Sequence, residues 1–159
     1  MKLKKLPKGE AVDAEIEEAA GNDLRQILRS KNFLFDWQFE KKQGLELYKL
    51  YLAETGQIVG LMSLADIPEE FRIHLNLIES SKENIGKDKQ IDHIPGALIA
   101  FACELAFKRG YDGFVSLVPK TKLIDLYKNK YGFEQYGRML ATEGTNSLSL
   151  IIKYLEDGR

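Results

Sequence analysis

Apolar and polar residues alternate with a period of two along much of the first half of the chain, the spacing of a half-buried strand. Residues 11–19 carry Val12, Ala14 and Ile16 on one parity and read as a first strand, with a helix as the alternative. Asn22 and Asp23 are helix-capping residue types, and they precede a short helical stretch at 24–30. The aromatic cluster 33-FLFDW-37 then packs onto whatever sheet follows. Two apolar runs, 45–53 and 57–65, flank Glu54-Thr55-Gly56 and predict a β-hairpin with a short glycine turn. A third run at 71–80 sets Phe71, Ile73, Leu75 and Leu77 on one face and His74, Asn76 and Ile78 on the other.

The period changes after a polar loop at 81–92. From Gly96 to Lys108 the chain is apolar nearly all round, as in a helix buried between two layers, and Gly110 stops it. A strand at 113–118 leads through Pro119 to a helix at 122–130 capped by Thr121. Residues 131–140 read as a further strand and 145–155 as a closing helix. Antiparallel strands followed by strand–helix–strand predict a mixed α/β sheet. In it 71–80 and 113–118 run parallel, because a helical crossover joins parallel neighbours. No repeat or Pro/Gly/Ser-rich linker divides the 159 residues, so a single domain is expected.

Charge narrows the function classes. Lysines and glutamates are interspersed and the net charge is −1, which is not the basic stripe of a nucleic-acid binder. The basic opening 1-MKLKKLPKGE-10 passes into polar residues without an apolar stretch, so no secretory signal is expected there. No apolar run reaches the length of a membrane span, and a cytoplasmic protein without a membrane role is the default. Cys103 is the single cysteine, which excludes an intrachain disulfide; with only two histidines beside it, no structural metal site is expected. Strands 45–65 are apolar enough to pair with a second copy, which leaves a homodimer open.

Two short motifs flank the parallel strands. The stretch 90-QIDHIPGAL-98 opens the apolar helix, and 126-LYKNKYGF-133 closes the next one. With the element order, they resemble the GCN5-related N-acetyltransferase superfamily over residues 45 to 140. The resemblance implies a sheet splayed between strands 71–80 and 113–118, with acetyl-coenzyme A as co-substrate in the opening. The family's phosphate signature, Gln/Arg-x-x-Gly-x-Gly/Ala, falls on Gln90, with His93 and Pro95 at its glycine positions. Lys120 falls where the family often has an asparagine that reaches the coenzyme, and Leu77 and Ile78 lie on the strand that faces the thioester. Phe33, Phe35 and Trp37 fall where the family forms its acceptor pocket.

A helix N-terminus offers unpaired N–H groups and a partial positive charge, a seat for an anion such as a diphosphate. The turn at Ile94, Gly96 and Ala97 would supply those groups, and only Gly96 and Ala97 are small enough for close approach. Pro95 withholds one donor, Asp92 opposes an anion, and Lys87 and Lys89 offset it. Acyl transfer to an amine further needs a base, a donor for the developing oxyanion and an acid for the departing thiolate. The resemblance implies a tyrosine acid, here Tyr127 with Tyr131 in reserve; one residue more than usual separates Tyr127 from Gly132. Glu79, ending strand 71–80, is the candidate base, and His74 the second. The implied activity is direct transfer of an acetyl group from acetyl-coenzyme A to a small-molecule or peptide amine. The alternative is a non-catalytic acyl-coenzyme A sensor or a protein-interaction module on the same scaffold.

Overall fold

The alternating segments are used up in strand pairing. The computed structural model describes residues 1–156, and these form one nine-stranded sheet with helices on both faces. Strands β1 (Lys2–Lys5) and β2 (Glu10–Glu18) make a hairpin, followed by helices α1 (Gly21–Ser30) and α2 (Trp37–Lys42). The antiparallel centre is β3 (Glu46–Leu52), β4 (Ile58–Ile67) and β5 (Arg72–Ser80). A two-residue strand, β6 (Ile91–Asp92), leads into α3 (Ile94–Lys108). Then come β7 (Val115–Leu117), α4 (Ile124–Tyr131), and the hairpin of β8 (Glu134–Tyr136) with β9 (Met139–Thr142). Helix α5 (Gly144–Ile151) closes the fold and runs on into a π-type turn at Ile152–Glu156. The spatial order is β6-β1-β2-β3-β4-β5-β7-β9-β8. Every pair is antiparallel except β5 with β7, which the α3 crossover makes parallel.

Several expectations from the sequence are corrected. The opening segment, which the pattern assigns to no element, holds a strand at Lys2–Lys5, whose one apolar residue, Leu3, is buried while Lys4 and Lys5 reach solvent. Residues 131–140 are the end of α4 followed by a hairpin, since Gly137 adopts the positive φ a tight turn requires. Helix α1 begins at Gly21; Asp23 accepts from the Ala20 N–H at 2.8 Å from inside the first turn, one residue type removed from the expected cap. The largest correction is in β5. Ser63 pairs with Leu77 and Leu64 with Leu75, so Asn76 is an extra residue in a bulge. Parity reverses there: Ile73, Leu75 and Ile78 face α3, whereas Leu77 turns to the α1/α2 side.

Two cores result. On one face, Leu24, Ile27 and Trp37 from α1 and α2 cover Leu47, Ile58 and Leu61. On the other, α3 lies between the sheet and the α5 layer of Leu150, Ile151, Tyr154 and Leu155. That double burial explains an apolar circumference: Leu98, Ile99 and Cys103 are all solvent-free. The helix sits so close to β4 that a Cβ on Gly60 would lie 2.7 Å from Ile94 Cγ2 and 3.2 Å from Leu98 Cδ1. Among the described residues, no helix is long and apolar enough to cross a membrane.

Because Ile94 is β-branched and fully packed, it has little room to yield. Gly60→Ala should therefore destabilise the fold by about 1–3 kcal/mol, the usual cost of overpacking. Urea denaturation checks this; an unchanged midpoint would show that α3 rides more loosely on β4 than described.

Candidate active site

Strand β5 outlasts its parallel partner. The two are paired only at Ile73 with Val115 and at His74 with Ser116. Past this point the Asn76 bulge adds twist to β5, and β7 ends at Leu117, ahead of Val118-Pro119. Proline has no N–H for a ladder, so the chain leaves the sheet and climbs into α4. The separated strands open onto a cavity of about 440 Å³, a size suited to a small-molecule site. Its walls are the end of β5, the loop before α3, and α4, with Ile78, Glu79, His93, Pro95, Tyr127 and Tyr154 among the lining residues.

The start of α3 points at this cavity, and its backbone explains an unusual sequence. His93 precedes the helix with φ 78°, a left-handed conformation that glycine adopts without strain. It thus occupies a glycine-type position in the backbone. Asp92 Oδ1 accepts from the His93 N–H at 2.9 Å and pairs with Lys89 Nζ at 2.9 Å. Burial opposes ionisation of Asp92, but the Lys89 and His93 N–H contacts outweigh it and hold its carboxyl below the usual range. Burial pushes the His93 imidazole down; Asp92 opposes this, while Lys4, Lys130 and Lys153 reinforce it. A basic collar therefore surrounds the helix start.

Gly96 serves a different purpose from the one its size suggests. A Cβ there would lie 2.4 Å from Tyr154 Cε1, so the small residue admits the Tyr154 ring rather than opening the backbone to the cavity. Tyr154 also stacks edge-on to His93 with ring centroids 5.4 Å apart. Ile94, Gly96 and Ala97 are all buried, and none lines the cavity. Nor do Gln90, Lys120 and Leu77: the first two are exposed, and the Gln90 backbone is tied to Leu6 and Glu83. Pro95, His93 and Ile78 are the expected coenzyme contacts that the cavity does bring together.

Tyr127 lies on the cavity wall, against Tyr131 and Phe133 at 5.9 and 5.6 Å between centroids. Burial raises its phenol above the ordinary value, which keeps it protonated and able to donate. Tyr131 lines the same wall but is nearly fully buried, and burial pushes its phenol up strongly. Glu79 is placed in the cavity by the bulge, yet its oxygens are already committed. They accept from Leu34 N at 2.5 Å, Phe35 N at 3.2 Å and Trp37 Nε1 at 2.8 Å. The carboxylate thus clamps the 34–37 loop onto β5. His74 stays on the paired part of β5, with Nδ1 2.9 Å from Ser116 Oγ and 3.2 Å from Arg72 Nη1. Asn84, in the loop at the cavity edge, is a brace: it donates to Ser81 Oγ and accepts from the Ile91 N–H. Sequence reasoning missed Tyr154 and Lys130, which reach the cavity only through the packing of the π-type turn after α5 and of α4.

No protein-family model and no curated protein matches the sequence. Solved structures do. An IAA acetyltransferase from Bacillus cereus superposes with a TM-score of 0.60 at 16% identity, covering 82% of this chain and 99% of that one. A GNAT-family acetyltransferase from Brucella melitensis in complex with acetyl-CoA gives 0.55 at 14% identity, covering 82% and 88%. AtaT complexed with acetyl-methionyl-tRNAfMet gives 0.55 at 13% identity, covering 88% and 99%. The chain therefore has the fold of the GCN5-related N-acetyltransferases.

Glu79→Ala leaves three N–H donors without their acceptor, at a cost of about 1–3 kcal/mol. Trp37 is the chain's single tryptophan, so loosening of the loop should appear as a red shift of its fluorescence. Native emission in that variant would show that the loop is held by packing alone.

Proposed function

We propose that this chain transfers an acetyl group from acetyl-coenzyme A to an amine by direct attack, in a cytoplasmic setting. The observation that carries the proposal is the separation of β5 from β7 after two paired residues, with Tyr127 facing the resulting cavity. A ribbon of unpaired backbone on β5 can then meet the thioester arm as a further strand would and offer an N–H to the acyl oxygen. The residues at the helix start fit a polyphosphate in charge. Lys89 and Lys130 line the cavity and Lys4 and Lys153 lie close to His93. Tyr127, protonated and half sheltered, donates to the departing sulfur. Coenzyme A and the acetylated amine are the products.

A second reading is favoured by one feature. Asp92 already places a carboxylate at the positive end of α3, and Tyr154 covers Gly96. A protein whose anion seat is partly filled from within would bind acyl-coenzyme A weakly and serve as a sensor or as an interaction module. Turnover separates the two readings.

At a hundredfold excess over its dissociation constant, acetyl-coenzyme A should stabilise the protein by about 2.7 kcal/mol, read as a rise in Tm. Tyr127→Phe should keep that shift and lower kcat on amine acceptors by about 10²–10⁴-fold, the range for loss of a general acid. A shift without turnover on any amine would support the sensor. No shift at all would remove both.

A further inference from the structure

Two cavities of the molecule share a wall. The opening between β5 and β7 adjoins a second cavity of about 550 Å³ between α1 and the 33–38 segment, and Leu34 and Phe35 line both. Leu24, Ile27, Leu28, Phe33 and Trp37 make the second cavity apolar. Large apolar side chains stay exposed along the whole route: Ile85 and Leu126 at the opening, Leu34 and Phe35 at the shared wall, Leu28 in the second cavity. Leu34 is 82% exposed, yet its backbone is anchored, because its N–H and that of Phe35 are both held by Glu79. A run of apolar side chains held out in water on a fixed loop gains from an apolar partner laid across it.

Charge says what that partner is not. The carboxylates that line the two cavities are engaged. Glu79 accepts three N–H bonds, Asp92 pairs with Lys89 at 2.9 Å, and Asp36 caps α2 by accepting from the Phe39 N–H at 3.0 Å. Behind them on the α1/α2 side, Asp23 pairs with Lys49 at 2.9 Å. Glu40, 4% exposed, accepts from Ser63 Oγ and Asn76 Nδ2, each at 2.6 Å. Lys31, on the second cavity, repels a distal ammonium. A second positive charge on the ligand would thus be sheltered from water without a free counter-ion. A peptide meets a similar cost: laid along the shared wall it needs backbone donors, and those of Leu34 and Phe35 are taken by Glu79. An alkyl chain needs neither.

We propose that the acceptor is a small primary amine with an unbranched apolar tail. Its nitrogen meets the thioester at the β5–β7 opening, and its tail crosses Leu34 and Phe35 into the cavity beside Leu28. This rests on the acetyltransferase reading above and names its substrate class. Selection is then by chain length: each methylene withdrawn from water raises kcat/KM roughly fourfold until the cavity is full.

Coenzyme release is measured with butylamine, octylamine and 1,8-diaminooctane at saturating acetyl-coenzyme A. Octylamine should exceed butylamine in kcat/KM by about 15-fold or more, the gain from fully burying two of its four further methylenes. The diamine, of the same length, should fall at least about tenfold below octylamine, because its distal ammonium is desolvated. Leu28→Gln and Leu34→Gln change exposed side chains and leave the bonds to Glu79 in place. Each should lower the octylamine-to-butylamine ratio about fivefold, mostly through KM. Trp37 lines the second cavity and gives a readout without turnover. Octylamine should change its emission saturably, with a midpoint raised about fivefold in Leu28→Gln. A wild-type preference for octylamine below about threefold overturns the proposal. So does a diamine used as well as octylamine, a ratio unchanged in both variants, or an emission that octylamine leaves unmoved. Faster acetylation of leucyl-phenylalanine amide than of octylamine overturns it in favour of a peptide acceptor. A saturable emission change without coenzyme release on any amine overturns the acetyltransferase reading instead and leaves the apolar site standing.

Discussion

A parallel strand pair holds together only while both chains keep their N–H and C=O groups in register. Strand β5 loses register with its surroundings at Asn76, where one extra residue is folded into the ladder with β4. Strand β7 stops at Leu117, and Pro119 cannot donate to a neighbour. Neither feature alone forces a gap. Together they leave the outer half of β5 without a partner on the β7 side, and everything chemically interesting in the molecule is arranged around that unpaired half. The cavity, the clamp on the 34–37 loop and the buried Glu40 all take their positions from the same bulge.

The helix that bridges the parting strands satisfies two demands that conflict. As the innermost helix it must be apolar all round, with Gly60 beneath it letting it approach the sheet and Gly96 above it letting Tyr154 pack. As the element whose N-terminus meets the cavity, it also presents a positive dipole end to solvent and ligand. Asp92 and Lys89 moderate that field from within the protein, and the left-handed backbone at His93 turns the chain sharply enough to start the helix there. An anion arriving at this end competes with Asp92 for the helix end and for Lys89, with Lys130 alongside.

Two glutamates show how context assigns chemistry to identical side chains. Glu79 receives three N–H bonds and becomes a structural tether. Glu40 receives two neutral donors and no cation among the described residues. Their sequence surroundings do not distinguish them. The strand-end carboxylate is tied to a loop and the one in the short helix is buried, and neither environment is written in the residues beside it.

What the sequence by itself determined was the order and kind of the long elements. The β3–β4 hairpin is written in alternation around Gly56, and the burial of α3 in its apolar circumference. The parallel β5–β7 pair follows from a crossover that chain length and handedness leave little choice about. Local patterns encode these because each depends on residues a few positions apart. The short strands β1 and β6, the β8–β9 hairpin and the reversal of parity at Asn76 were not legible, since pairing partners far along the chain decide them. The site divides in the same way. Tyr127 could be found from its motif, whereas the filling of Gly96 by Tyr154, the engagement of Glu79 by Leu34, Phe35 and Trp37, and the isolation of Glu40 are contacts between residues 23 to 58 positions apart. Whether a side chain is free to do chemistry depends on which neighbours have already used its lone pairs and its space, and only tertiary packing chooses those neighbours.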